Sequence, residues 1–186
     1  MISVLFATGN ADKLRSARLV CAEFGIEITQ QLLDVAEIQA EDGEAVVRDK
    51  AAKAFALLKK PVIVSDDSWV IPALNGFPGP YMKSINEWFT PEDLFRLTKP
   101  LENREIILRQ YAVFQDEHGQ HLFALDIAGT MLRVPRTLSG KPNETLVTFD
   151  GKRSVAEFHA EDKSPLEGRQ TVWHELAPWL KNYFAK

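Results

Sequence analysis

The chain opens on an unbroken apolar run, Ile2 to Ala7, whose length and continuity are those of a central strand covered on both faces. Thr8-Gly9-Asn10 interrupts it and the period changes: Leu14, Ala17, Cys21 and Phe24 recur at helical spacing and Gly25 supplies a stop, which predicts a helix over 11–24 packed on that strand. Residues 25–33 read as a second strand. Beyond Gly43, Val47, Ala51, Ala54 and Leu58 share one face of a second helix, Arg48, Asp49 and Lys53 lie largely on the other, and Pro61 closes it. Val62-Ile63-Val64 predicts a short buried strand that terminates in Ser65-Asp66-Asp67.

Asn75 to Pro80 forms a turn-rich loop, and Thr90-Pro91-Glu92-Asp93 carries an N-cap with proline at the first helical position. Residues 105–115 and 120–135 are β-rich and joined by Asp116-Glu117-His118-Gly119, a hairpin pattern. Periodicity is weak over 136–155, and 139–145 reads as loop. A last helix is predicted over 168–184, with Val172, Leu176, Leu180 and Phe184 on one side. No internal repeat or linker interrupts the chain, so the expectation is one α/β domain spanning 1–186.

The strand-to-helix junction at Thr8-Gly9-Asn10 is where chemistry first enters. A strand that breaks at glycine and re-enters as a helix points backbone N–H groups and the positive end of the helix dipole at one spot, which suits an anion. Lys13, in the first turn, can reach back over it. Such junctions occur throughout α/β proteins, so this segment alone is also compatible with a plain structural turn. Acids at the carboxyl end of a buried strand, as Asp66 and Asp67 are here, occupy the position where open α/β sheets place ligands.

Composition narrows the partners. In 186 residues, 45% are hydrophobic and 26% charged, an ordinary soluble profile. The net charge of −4 gives no basic field for nucleic acid, so a polyanionic ligand would be met by a local cluster, with Lys13, Lys83, Lys163 and Arg169 as candidates. The single cysteine, Cys21, excludes an internal disulfide and reads as a small buried apolar residue. The amino-terminal segment lacks a basic n-region and no stretch reaches membrane-spanning length, so no membrane role is expected and the cytoplasm is the default location. His118, His121, His159 and His174 show no metal spacing.

Three segments together carry a resemblance: Ala7-Thr8-Gly9-Asn10-Ala11-Asp12-Lys13, then Ala36-Glu37-Ile38-Gln39, then Val64-Ser65-Asp66-Asp67-Ser68 continuing to Ala73-Leu74-Asn75-Gly76-Phe77-Pro78-Gly79-Pro80-Tyr81-Met82-Lys83. In order and spacing they resemble the inosine triphosphate pyrophosphatase (Ham1-like) family, densely over the first half of the chain and sparsely after it. The resemblance implies an elongated α/β fold of the Ham1/Maf type, a central mixed β-sheet flanked by helices, in two lobes with a cleft between them. It implies Mg²⁺-dependent hydrolysis of a nucleoside triphosphate such as ITP, dITP or XTP, and a homodimer. Carried residue by residue, it implies metal binding by Glu37 and Asp67 and catalysis by Asp67 with Lys13. It further implies substrate contacts from Thr8, Gly9, Asn10, Lys13, Ser68, Lys83, Lys163 and Arg169.

The chain departs from the family pattern at three places. Ser16 stands where the family has an acid after the lysine of its first motif. Lys141-Pro142-Asn143-Glu144-Thr145 stands where an aromatic platform stacks on the purine, and Glu167-Gly168-Arg169 replaces Ser-His-Arg. A carboxylate reads hydrogen-bond donors where histidine reads acceptors, so weakened preference for ITP and XTP over ATP and GTP is expected. The alternative of another class is a non-catalytic nucleotide-binding or interaction module on the same fold.

Overall fold

Strand β1 (Ile2–Ala7) shows how patterning becomes structure in the computed structural model, which describes residues 2–137 and 139–185. Its side chains alternate: Val4 and Phe6 enter one apolar cluster with helices α1 (Ala11–Glu23) and α7 (Trp173–Tyr183), while Leu5 and Ala7 enter another with helix α2 (Gly43–Leu58). A strand that must be apolar on both faces reads as a continuous run, which is why this one was legible. It pairs in parallel with β2 (Ile26–Gln31) from Ile2↔Ile26 to Ala7↔Gln31 and with β3 (Val62–Val70) from Leu5↔Val62 to Ala7↔Val64.

The remaining elements are a 3₁₀ turn at Pro72–Leu74, β4 (Pro78–Gly79), α3 (Met82–Trp88), α4 (Pro91–Thr98), β5 (Glu105–Asp116), β6 (Gly119–Met131), α5 (Pro142–Leu146), β7 (Val147–Thr148) and α6 (Val155–Ala160). Hydrogen bonding runs β2-β1-β3-β5-β6-β7, with β4 paired to β3, in a mixed sheet flanked by helices. The chain divides into two compact units, one of Met1–Asp67, Gln110–Leu125 and Gln170–Lys186, the other of Ser68–Arg109 and Asp126–Arg169.

In the first unit, α1 begins at Asn10, whose side-chain oxygen accepts from the amides of Asp12 (2.9 Å) and Lys13 (3.1 Å), and stops where Gly25 takes φ +75°. Its apolar face is Leu14, Ala17, Val20 and Cys21. The aromatic rings of His121, Trp179 and Tyr183 stack in turn at 4.3 and 4.8 Å, joining α7 to β6. Tyr183 donates its hydroxyl to Asp116.

In the second unit, Met82, Ile85, Leu94 and Leu146 form a small core with Trp69, Phe89 and Phe95. Helices α4 and α6 both start with reciprocal capping boxes, Thr90 with Asp93 and Ser154 with Glu157. The Arg104 guanidinium donates to the carbonyls of Thr98, Met131 and Leu132.

Three expectations are corrected and one helix is added. Strand β3 does not end at Ser65-Asp66-Asp67 but continues to Val70, because β1 leaves it after Ala7↔Val64 and β4 takes up pairing at Trp69↔Gly79. The stretch 139–145, expected as loop, contains α5; five residues are too few to display a helical period, although Pro142 occupies its first turn. Helix α3, unread in the sequence, buries only Met82 and Ile85. Helix α7 starts at Trp173 rather than 168, since Gly168 has φ +73°, and Phe184 lies partly exposed at its end.

Candidate active site

Five charged side chains gather where β1 turns into α1 and β3 runs past it. Alternation along β3 puts Asp67 on the face of Ile63, toward α1, and Asp66 on the face of Val62 and Val64, toward α2. From the first turn of α1, the Lys13 ammonium lies 3.2 Å from Asp67 Oδ2. From α2, Lys50 pairs with Glu37 at 2.5 Å, and its helical neighbour Lys53 donates to the Ala36 carbonyl at 2.8 Å. The segment 32–41 has no regular structure of its own, so Glu37 is held by lysines of α2 rather than by a ladder.

Asp66 sits among these groups. Burial raises its pKa above the ordinary carboxylate value, Asp67 and Glu37 push it in the same direction, and Lys13 and Lys50 oppose them. Three carboxylates and two ammonium groups thus share one electrostatic neighbourhood.

The Thr8-to-Lys13 turn is internally braced. Thr8 Oγ1 accepts from the Asn10 amide at 3.1 Å, Gln30 donates to the Thr8 carbonyl at 2.9 Å, and Asn10 caps the helix. Gly9 is exposed, and a Cβ there would meet nothing within 4 Å, which leaves its backbone open to an approaching ligand. The amides of Asp12 and Lys13 already bond Asn10, so their donation to an anion would be shared with the cap.

Of the residues carried by the resemblance, Thr8, Gly9, Asn10, Lys13, Glu37 and Asp67 belong to the first unit, and Ser68, Lys83, Lys163 and Arg169 to the second. Ser68 is buried with no hydrogen-bond partner for Oγ among the described residues. Lys83 is exposed on α3. Lys163 pairs with Glu161 at 2.7 Å. Arg169 donates to the carbonyls of Ala128 (3.2 Å) and Phe149 and lies 5.7 Å from the Phe149 ring, so part of its donor capacity is spent on backbone. Lys50 was missed. The signal for it was its place beside Ala51 and Ala54, on the flank of the apolar stripe of α2.

In the segment that the resemblance aligns with a purine platform, Glu144 is held by Lys141 (2.9 Å) and His159 (3.4 Å); burial raises its pKa, and these hydrogen bonds more than reverse that. Asn143 is buried with Oδ1 unpartnered among the described residues.

The donor set suits a hard divalent cation: Glu37, Asp66 and Asp67 offer carboxylate oxygens in one charged neighbourhood. No group of three His, Cys, Asp or Glu arranged to hold a metal occurs among the described residues. An ion held by one or two of these carboxylates would complete its shell with water and phosphate oxygens, the usual habit of Mg²⁺.

Comparison with known proteins matches residues 4–179 to the model of the Ham1 family. A protein of Methanopyrus kandleri named dITP/XTP pyrophosphatase is 32% identical over 186 residues, covering 99% of both chains. The inosine triphosphate pyrophosphatase of Yarrowia lipolytica is 43% identical over 103 residues, covering 55% of this chain and 54% of its own. Among solved structures, a HAM1 protein of Coxiella burnetii superposes with a TM-score of 0.75 at 18% identity, covering 98% of this chain and all of that one. The Staphylococcus aureus Ham1 protein gives 0.67 at 16%, with 98% of each chain covered.

Proposed function

Since the chain belongs to the Ham1 family, we propose that it is an enzyme that hydrolyses a non-standard purine nucleoside triphosphate, such as dITP, ITP or XTP, to the monophosphate and pyrophosphate with Mg²⁺. The observation that carries this reading is the Lys13–Asp67 pair at the β1-to-α1 junction, with Asp66, Glu37 and Lys50 in the same neighbourhood. The names of relatives covering nearly the whole chain favour the same chemistry. They also favour an enzyme over a non-catalytic module, the reading that Ser16 in place of an acid would support.

Within this reading, the Gly9 backbone and the Lys13 and Lys50 ammonium groups grip phosphate oxygens, and Lys13 offsets charge that develops on the leaving pyrophosphate. Asp67 accepts a proton from the attacking water, whose oxygen bonds to the α-phosphorus as the bond from that phosphorus to the bridging oxygen breaks. Glu37 and Asp67 are the residues that would hold Mg²⁺, which when bound would supply charge neutralisation and a lowered pKa for water. By resemblance, Ser68, Lys83, Lys163 and Arg169 add substrate contacts. The same reading takes residues 1–186 as one functional domain, acting as a homodimer in the cytoplasm. No helix among the described residues is long and apolar enough to cross a membrane.

Product analysis tests the reaction. Incubation with ITP or XTP and Mg²⁺ should release monophosphate and pyrophosphate in equal amounts, and EDTA should abolish the release. Orthophosphate and the nucleoside diphosphate as products would refute the reaction type.

A further inference from the structure

The proposed metal carboxylates are already engaged by the lysines proposed to grip phosphate. Lys13 lies 3.2 Å from Asp67, and Lys50 lies 2.5 Å from Glu37, with the four side chains between 19% and 42% exposed. These are ion pairs partly shielded from water, in which an ammonium sits on one oxygen, Asp67 Oδ2 or Glu37 Oε1, of each carboxylate that a divalent ion would share. No group of three His, Cys, Asp or Glu that could hold a metal exists among the described residues, so an ion held here takes the rest of its shell from water or phosphate oxygens. One further oxygen is idle: Ser65 Oγ, buried on the same face of β3 as Asp67, has no partner among the described residues.

We infer that the cation site of this protein is conditional: Lys13 and Lys50 mask Asp67 and Glu37 until a triphosphate draws the two ammonium groups onto its own oxygens, so that phosphate and metal bind cooperatively. The inference rests on the functional reading above and extends it to the order of assembly. A phosphate chain offers each lysine a more highly charged partner than a single carboxylate, while the released carboxylates and the phosphate oxygens together fill a shell that neither fills alone. Linkage makes the effect reciprocal: whatever factor the nucleotide adds to metal affinity, the metal adds to nucleotide affinity. The free protein would accordingly hold little metal, and its carboxylates would remain neutralised internally.

Binding of Mn²⁺, followed by the electron paramagnetic resonance signal of the free ion, tests this without turnover. Titrations use the whole protein alone and with an α,β-methylene analogue of dITP, analysed with the analogue's own Mn²⁺ affinity measured separately. The dissociation constant for Mn²⁺ should fall at least about 10-fold on the analogue-bound protein, within the usual range of coupling between sites. Lys13→Gln combined with Lys50→Gln should tighten Mn²⁺ binding to the free protein by about the same factor and abolish the cooperativity. Arg15→Gln removes one positive charge from α1, as Lys13→Gln alone does, at a residue paired with Asp12, and should leave the Mn²⁺ constant within about 2-fold. Equal Mn²⁺ affinity with and without analogue, or an Arg15→Gln effect as large as that of the lysine variants, would overturn the inference while leaving pyrophosphate release untouched. Failure of the analogue to bind at all would overturn both the inference and the functional reading.

Discussion

In the proposed reaction the roles of holding metal and accepting a proton converge on Asp67, so charge rather than shape is what matters there. Asp67→Asn keeps the volume and removes the charge; kcat should fall by a factor of roughly 10² or more, the scale for loss of a water-activating or metal-bound group. Steady-state pyrophosphate release measures it, and an unchanged rate would remove Asp67 from the site. Cys21 makes a contrasting case of a reactive group turned inert. It is fully buried on α1, and burial pushes its thiol up to about 12. Near pH 8 the thiolate fraction is then on the order of 10³ below that of a free cysteine, so labelling by a disulfide reagent should be slow in the native protein and prompt in denaturant. Prompt labelling of folded protein would contradict the burial.

Helix α1 is the element on which structure and binding compete. Asn10 caps it through two amides that would otherwise be free to meet an anion. Asn10→Asp preserves the cap, so the thermal midpoint should hold, but it adds negative charge beside Lys13 and should raise KM for the triphosphate at least several-fold. Asn10→Ala should instead cost about 1 kcal/mol of stability. If Asn10→Asp left KM unchanged, the opening turn would be structural only. Strand β6 offers a test independent of catalysis. A Cβ at Gly129 would come within 3.0 Å of the Phe149 ring, so the bare position exists for close packing and not for an unusual backbone angle. Gly129→Ala should destabilise by about 1–3 kcal/mol, as overpacking does, read as a lowered denaturant midpoint.

For the molecule as a whole, the open quantity is how strongly it selects its base. Lys141, Glu144 and His159 form an ion-paired group where the resemblance implies a stacking ring, and Glu167-Gly168 stands where it implies Ser-His. A site that hydrogen-bonds one base edge rejects an analogue through the buried group it leaves unpaired, and that penalty shrinks when the reading group is absent. Preference for ITP, dITP and XTP over ATP and GTP should therefore be compressed, to within about 10² in kcat/KM. A panel including dUTP measures it. Stronger discrimination for ITP and XTP would mean that another residue reads the base.

What the amino-acid order determined by itself is whatever a local signal can carry. The two-sided burial of β1 shows as a continuous apolar run, the caps at Asn10 and Thr90 as polar residues before helices, and the stop at Gly25 as a glycine that takes a positive φ. The family resemblance rested on such short segments and pointed to Lys13, Glu37 and Asp67 in the first unit, but not to Lys50. Only the tertiary structure decided the rest. Strand β3 continues through Ser65-Asp66-Asp67 because β4, which returns after the 3₁₀ turn at Pro72–Leu74, pairs with its far end, and the two residues of β4 are too few to show a strand pattern. Helices α3 and α5 are too short to show a period, and are held by packing around Met82, Ile85 and Leu146. The pairing of Lys13 with Asp67 and of Lys50 with Glu37 joins residues 54 and 13 positions apart. Charge attraction between side chains acts through space, and which charges meet is settled only once strand and helix have placed them.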